Sequence, residues 1–172
     1  EQDAYEAFKK EVLKYSHYPI YFNNVPRDME FVKNANINIT NKKPDHTIVN
    51  VFDHSRLILS EKEHELQKLN EVSKGCMWLQ AKMGTINILL SQLNRNIEQE
   101  HRAKAQYQPL LTDLFGGDSI GQDAHVVMML QRPNDLYGIT DRYCGENPVG
   151  LLALHVEKNR DGLLGMIPYE AE

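Results

Sequence analysis

The stretch Leu90-Ser91-Gln92-Leu93-Asn94-Arg95 follows the apolar run 86–90 and puts an amide and a guanidinium at the end of an expected strand. The carboxyl end of a strand is where open α/β sheets bind ligands. A glutamine amide placed there can hydrogen-bond a phosphate oxygen and so register whether the phosphate is present. Asp53 ends a second apolar run, TIVNVF at 47–52. An acid in that place suits a Mg²⁺ ion held through water, and equally suits a helix cap. The segment 113–130, DLFGGDSIGQDAHVVMML, contains Gly116, Gly117 and Ser119, whose backbone N–H groups can reach phosphates without reading bases. Taken alone, that segment reads as an ordinary flexible loop. Arg132-Pro133 follows the VVMML run, where an arginine can stack on a ring or simply cap a strand. Lys158-Asn159-Arg160-Asp161-Gly162 is a basic turn after LLALHVE. The seven histidines form no HxxxH or HExxH pair. His54 reads as a packing residue, and His125 and His155 as satisfied histidines in or beside strands.

The elements that must position these residues follow from periodicity. Residues 3–16 predict a helix with Tyr5, Phe8, Val12 and Leu13 on its apolar face, stopped by Pro19. Residues 19–22 read as a short strand leaving through Asn23-Asn24, 27–34 as a short helix, and the polar stretch 34–45 as a loop. The run 47–52 predicts a buried parallel strand. Residues 61–83 predict a helix with Leu66, Leu69, Val72, Met77 and Leu79 on a buried stripe, Trp78 near it, and Gly84 as its C-cap. Strands are expected at 86–90, 126–130, 149–156 and 165–169, the last two forming an antiparallel hairpin around a turn at 159–162. The charged stretch 95–108 reads as mobile and 134–147 as a loop. Strands alternating with helices, then a hairpin, predict an α/β sheet, mostly parallel, with an antiparallel edge.

The 172 residues amount to one domain or most of one, with ordinary hydrophobic (41%) and charged (25%) fractions for a globular chain. No apolar run approaches the ~20 residues of a membrane helix, and the start has no signal-peptide core. A net charge of −5 argues against wholesale binding of nucleic acid but leaves room for a small basic site. Cys76 and Cys144 form no CxxC, which reads as free thiols in a cytosolic protein rather than a metal site or disulfide framework. The chain does not begin with Met and reads as a processed or cut product.

LSQLNR in this setting resembles the DnaB-like replicative helicases, members of the RecA-like hexameric ATPases. The segment 113–130 is similar to the helicase stretch in which a Gly/Ser loop leads through Ile-x-Gln-Asp-Ala into a strand. The turn 158–162 is similar to the family's Lys-x-Arg-x-Gly turn. The resemblance runs from about 19 to about 169, roughly the C-terminal two-thirds of the motor domain. It implies that 1–172 is a partial RecA-like P-loop NTPase core, running from a Walker B strand ending at Asp53 to the arginine-finger hairpin. It also implies ATP and Mg²⁺ as cofactors, with Asp53 holding Mg²⁺ through water and Gln92 sitting near the γ-phosphate. Lys158 and Arg160 would act in trans across a subunit interface, and Arg132 and Tyr169 would lie on the two faces of the adenine. Gly116, Gly117, Asp118 and Ser119 would contact the backbone of single-stranded DNA, with Gln122 and Asp123 bracing them. The chain departs from the family where Phe115-Gly116 replaces Arg-Glu and where Gly121 and His125 replace acids, which implies a DNA contact made differently or more weakly.

No GxxxxGK[ST] occurs in the sequence, and in the family that loop lies upstream of Walker B together with the catalytic glutamate. The resemblance therefore implies a fragment truncated on its N-terminal side, inactive alone, from a cytoplasmic helicase of bacterial or phage origin. Its parent would be a homo-oligomeric ring, a hexamer, on single-stranded DNA, with no membrane partner. Two alternatives stand beside it. One is another RecA-like ATPase of the recombinase or circadian-clock type. The other is a P-loop-less interaction module that binds DNA or a helicase ring.

Overall fold

The structure is a computed structural model that describes residues 2–115 and 117–170. Its elements are α1 (Gln2–Tyr15), α2 (Met29–Lys42), β1 (Val49–Phe52), α3 (Glu65–Met83), β2 (Ile86–Leu89), α4 (Gly117–Asp123), β3 (Val126–Gln131), α5 (Pro133–Tyr137), β4 (Leu151–Asn159) and β5 (Gly165–Glu170). Short 3₁₀ turns occupy Ser55–Leu57, Arg95–Glu98, Glu100–Ala105 and Leu111–Asp113. The caps are those the residue types favour. Asp28 accepts from the N–H of Phe31 at 2.7 Å to start α2. Gly84 ends α3 in the left-handed region at φ 65°.

β1 and β2 pair in parallel, with Val49 opposite Ile86 and Phe52 opposite Leu89. β3, β4 and β5 form an antiparallel sheet in that order. The α/β fold is present, but the described strands form two sheets, a parallel pair and an antiparallel sheet of three that includes β3 as well as the hairpin, rather than one mostly parallel sheet with an antiparallel edge. α3 is the hub of the core. Its Val72 and Leu79 pack with Met29 of α2 and with Phe52 and Leu89 of the parallel pair. Its Leu69 packs with Ile120 of α4 and with Val127 and Met129 of β3. Gly75 lets α2 lie close, since a Cβ there would stand 2.5 Å from the Met29 side chain.

Several expectations are corrected. The segment 34–45 is not a loop, because α2 continues to Lys42. Asn-rich sequence favours turns locally, but here Asn36 is buried and exchanges hydrogen bonds of 3.1 and 3.0 Å with Asn50 of β1. Asn50 in turn donates to Asn87 of β2 at 2.9 Å, and Asn87 donates to the Cys76 carbonyl of α3. Tertiary bonding thus overrides propensity. Residues 19–22 form no strand and pair with none among the described residues. A strand exists only with a partner, so the local tendency alone does not make one. The apolar face of α1 is exposed, with Phe8 at 66%. β1 and β2 are covered on one face only: Val49, Val51, Ile86 and Ile88 are exposed. On α3, Leu69, Val72 and Leu79 are buried, while Leu66 and Met77 face outward. Within 134–147, Pro133–Tyr137 forms α5, capped by Gly138 at φ 62°.

The stretch 95–108 is not a mobile segment but a run of 3₁₀ turns pinned by one ion pair. Both terminal nitrogens of Arg102 donate to the Asp113 carboxylate at 2.9 Å, a bidentate contact. The two side chains are 12% and 3% exposed. Asp113 also accepts from the Leu110 N–H at 2.8 Å, and Arg102 donates to the Gln108 carbonyl at 2.6 Å. Hydrogen bonding to Asp113 raises the Arg102 pKa against the lowering effect of burial. Removing one member of a buried pair strands the other. Asp113→Ala is expected to lower the unfolding free energy in a urea titration by about 3 kcal/mol or more. A loss below ~1 kcal/mol would mark the pair as no stronger than a surface contact.

Candidate nucleotide and nucleic-acid interface

The parallel register sets the first part of the site. Phe52 and Leu89 end the two strands side by side, so Asp53 and the LSQLNR stretch leave the same edge. The Leu90 N–H donates to the Phe52 carbonyl at 3.0 Å, and the Ser55 N–H donates to the Leu90 carbonyl at 2.9 Å. Asp53 is exposed, and no side-chain hydrogen bond or ion pair of its carboxylate is recorded among the described residues. Gln92 and Arg95 are also exposed, while Asn94 holds the turn by accepting from the Asn96 N–H and donating to the Thr112 carbonyl, both at 3.0 Å.

This edge is joined to the glycine-rich segment. The Gln92 carbonyl accepts from the Phe115 N–H at 3.0 Å, and Leu93 bridges Leu114 in antiparallel fashion. Gly116 lies outside the described residues. The backbone of Gly117, Asp118 and Ser119 opens α4, so the expected loop is a helical turn here. Ile120 anchors that turn in the core, 7% exposed. Asp123 accepts from Ser73 of α3 at 2.7 Å, and the carbonyls at the other end of α4 are also held. Lys158 donates to the Gly121 and Gln122 carbonyls at 2.7 Å each, and Arg160 donates to the Gln122 carbonyl at 2.9 Å. Both basic residues thus sit on the last turn of α4 in their own chain, where cations suit the negative helix end.

Arg132 and Tyr169 are placed apart from Lys158 and Arg160. Gln131 pairs with Ala153 on β4, and Leu152 pairs with Tyr169 on β5, so Arg132 and Tyr169 flank β4 at one end of the sheet. Lys158 lies near the other end of β4, six residues on, roughly 20 Å at ~3.3 Å per residue. Arg132 is exposed and paired with Asp135 at 3.3 Å, and Tyr169 is 49% exposed.

Beneath Arg132 lies a buried polar chain. Gln131 Nε2 donates to the Tyr107 carbonyl at 3.0 Å, which leaves its Oε1 to accept from the Tyr143 hydroxyl. The Tyr143 oxygen then accepts from His155 Nε2–H at 2.9 Å. Burial lowers the His155 pKa and raises that of Tyr143. No motif marks this chain. Its only signal in the sequence is two polar residues, Gln131 and His155, in line with the apolar inward positions Val127, Met129, Leu151 and Ala153. Arg56 also escapes a motif search, although its guanidinium lies 5.1 Å from the Phe115 ring centroid.

A magnesium-nucleotide fits this edge in part. Asp53 offers an exposed carboxylate and Gln92 an exposed amide. No cluster of three acidic, histidine or cysteine ligands occurs among the described residues. Phosphate oxygens and water would therefore complete a Mg²⁺ shell, as is usual for that ion.

The fold is that of a helicase ATPase domain. The structure overlays a solved DnaB-like replicative helicase, described with its interactions with primase, with a TM-score of 0.72 at 19% identity, over 86% of this chain and 33% of that one. The family model for the DnaB-like helicase C terminal domain matches residues 1–171, and the chain belongs to that family. It is 36% identical over 115 residues to the replicative DNA helicase DnaB of Leifsonia xyli, covering 65% of this chain and 23% of the relative. It is 28% identical over 155 residues to that of Mycobacterium leprae, covering 89% and 24%. The chain thus spans about a quarter of the length of these curated relatives.

The buried histidine gives a pH dependence. In the unfolded chain His155 titrates near its ordinary 6.5, and in the fold it titrates lower. Its contribution to stability is complete above pH 6.5 and is lost as the pH falls below that value, because the unfolded state takes up the proton first. Glu157, raised by burial, works in the opposite sense. The urea midpoint of the unsubstituted chain should therefore fall more steeply below pH 6.5 than that of His155→Gln. Parallel curves would show that His155 is not the titrating group.

Proposed function

We propose that these residues are part of an ATP-dependent replicative DNA helicase that translocates on single-stranded DNA and unwinds the duplex. The observation that carries this reading is the shared edge. Asp53 and Gln92 leave adjacent parallel strands, and the Gln92 backbone is bonded to Phe115 at the mouth of the glycine-rich segment. In this reading Asp53 holds Mg²⁺ through water and Gln92 registers the γ-phosphate. A change at Gln92 then passes through one backbone hydrogen bond to Gly116, Gly117, Asp118 and Ser119, which touch DNA phosphates. Arg132 and Tyr169 take the two faces of the adenine.

Lys158 and Arg160 act on the nucleotide of a neighbouring subunit in a ring, a hexamer, where an arginine finger stabilises transition-state charge. To reach across, Arg160 gives up its bond to the Gln122 carbonyl. The domain is a RecA-like motor core spanning 1–172. The sequence carries no GxxxxGK[ST], so hydrolysis depends on a phosphate-cradling loop supplied from outside these residues. The parent works in the cytoplasm of a bacterium or of a phage-infected cell. No described helix is long and apolar enough to cross a membrane.

The test uses the intact protein. Arg160→Ala should reduce ATP hydrolysis by on the order of 10³-fold while nucleotide binding and ring assembly persist. Loss of nucleotide binding in a normally assembled ring would sink the finger assignment.

A further inference from the structure

A cavity of about 300 Å³ lies between the Ser55–Leu57 turn and the first turn of α3. Ser55, Arg56, Ile58, Glu65, Lys68 and Leu69 line it. We propose that it is a phosphate-oxyanion site built by Ser55, Arg56 and Lys68, which takes a backbone phosphate of the single strand.

Four observations point to an anion. Ser55 is 2% exposed, and its hydroxyl has no hydrogen-bond partner among the described residues. A buried polar group without a partner is rare and calls for one. α3 is 19 residues long, and His64 at its N-cap supplies no side-chain hydrogen bond. The Gln67 and Lys68 N–H groups bond the His64 carbonyl, so α3 offers the cavity its positive end and the N–H of Glu65. Lys68, half-buried on the cavity wall, has no recorded side-chain hydrogen bond or ion pair among the described residues. Two cations face the single carboxylate of Glu65, which pairs with Arg56. Glu65 is thus the group an incoming phosphate competes with.

Position selects the source. Arg56 lies over the ring of Phe115, the residue before Gly116, so the cavity adjoins the segment assigned above to the strand. The Ser55 N–H is bonded to Leu90, at the start of LSQLNR. The volume is at the low end for ligand pockets, which suits a phosphodiester better than a nucleoside triphosphate. The strand as source rests on the helicase reading, whereas the oxyanion chemistry does not.

The test is binding of a fluorescent oligo-dT to the full chain, followed by anisotropy over a series of salt concentrations. Amide NMR with inorganic phosphate runs in parallel. Lys68→Ala should weaken binding and reduce the slope of log K against log salt by about 0.7. Lys68→Arg should retain both, and Glu65→Gln should tighten binding. If the unsubstituted chain binds and neither Lys68→Ala nor Arg56→Gln changes affinity or slope, the site is overturned and the helicase reading is untouched. If oligo-dT does not bind but inorganic phosphate shifts the Ser55 and Lys68 amides, the oxyanion site stands and the strand is rejected as its source. No response to either probe overturns the site.

Discussion

The Arg102–Asp113 pair fixes the geometry on which the candidate site depends. Between LSQLNR and the glycine-rich segment lie about twenty residues with 3₁₀ turns but no α-helix or strand of their own. Such a stretch has few buried apolar groups to order it, and Ile97 is among the few. A bidentate pair shielded from water supplies what hydrophobic burial does not. Because the Asn94 N–H is bonded to the Asp113 carbonyl at 2.7 Å, the pair also closes the loop onto its own starting point. Gln92 and Phe115 can then meet through the backbone, and the two parts of the site become one body.

Around that fixed point the molecule divides its chemistry by distance. Asp53, Gln92 and the start of α4 share the edge of the parallel pair. Arg132 and Tyr169 lie at one end of the antiparallel sheet, and Lys158 and Arg160 lie near the other. The two basic residues are separated from Arg132 by most of the length of β4. In the proposed reading, that separation matches a division of roles, with one group serving the nucleotide of its own copy and the other that of a neighbour.

Much of this was legible in the residues. Strand runs 47–52, 86–90 and 126–130, the helix ending at Gly84 and the terminal hairpin all appear in the structure, because each rests on periodicity or on a backbone preference. What was not legible depended on partners distant in sequence. The Asn-rich end of α2 reads as loop until Asn50 and Asn87 are placed beside it. The 95–108 stretch reads as mobile because a salt bridge eleven residues apart leaves no pattern. The runs 47–52 and 86–90 read as buried on both faces, yet α2 and α3 cover only one among the described residues. The resemblance implied that Asp53 and Gln92 serve one nucleotide, but nothing in the sequence implied that Arg56 packs over Phe115 or that α4 is held by Lys158.

The amides of Asn36, Asn50 and Asn87 have a further consequence for how β1 finds β2. Alternation of apolar residues selects which face of a strand turns inward, but a slide of two positions leaves that alternation unchanged. The amides do not tolerate such a slide, because it separates Asn50 from Asn87 and leaves polar groups unmatched beneath the helices. Hydrophobicity therefore chooses the face, while the three asparagines choose the phase. The level at which Asp53 and Leu90 emerge together is set by side chains that take no part in the chemistry proposed there.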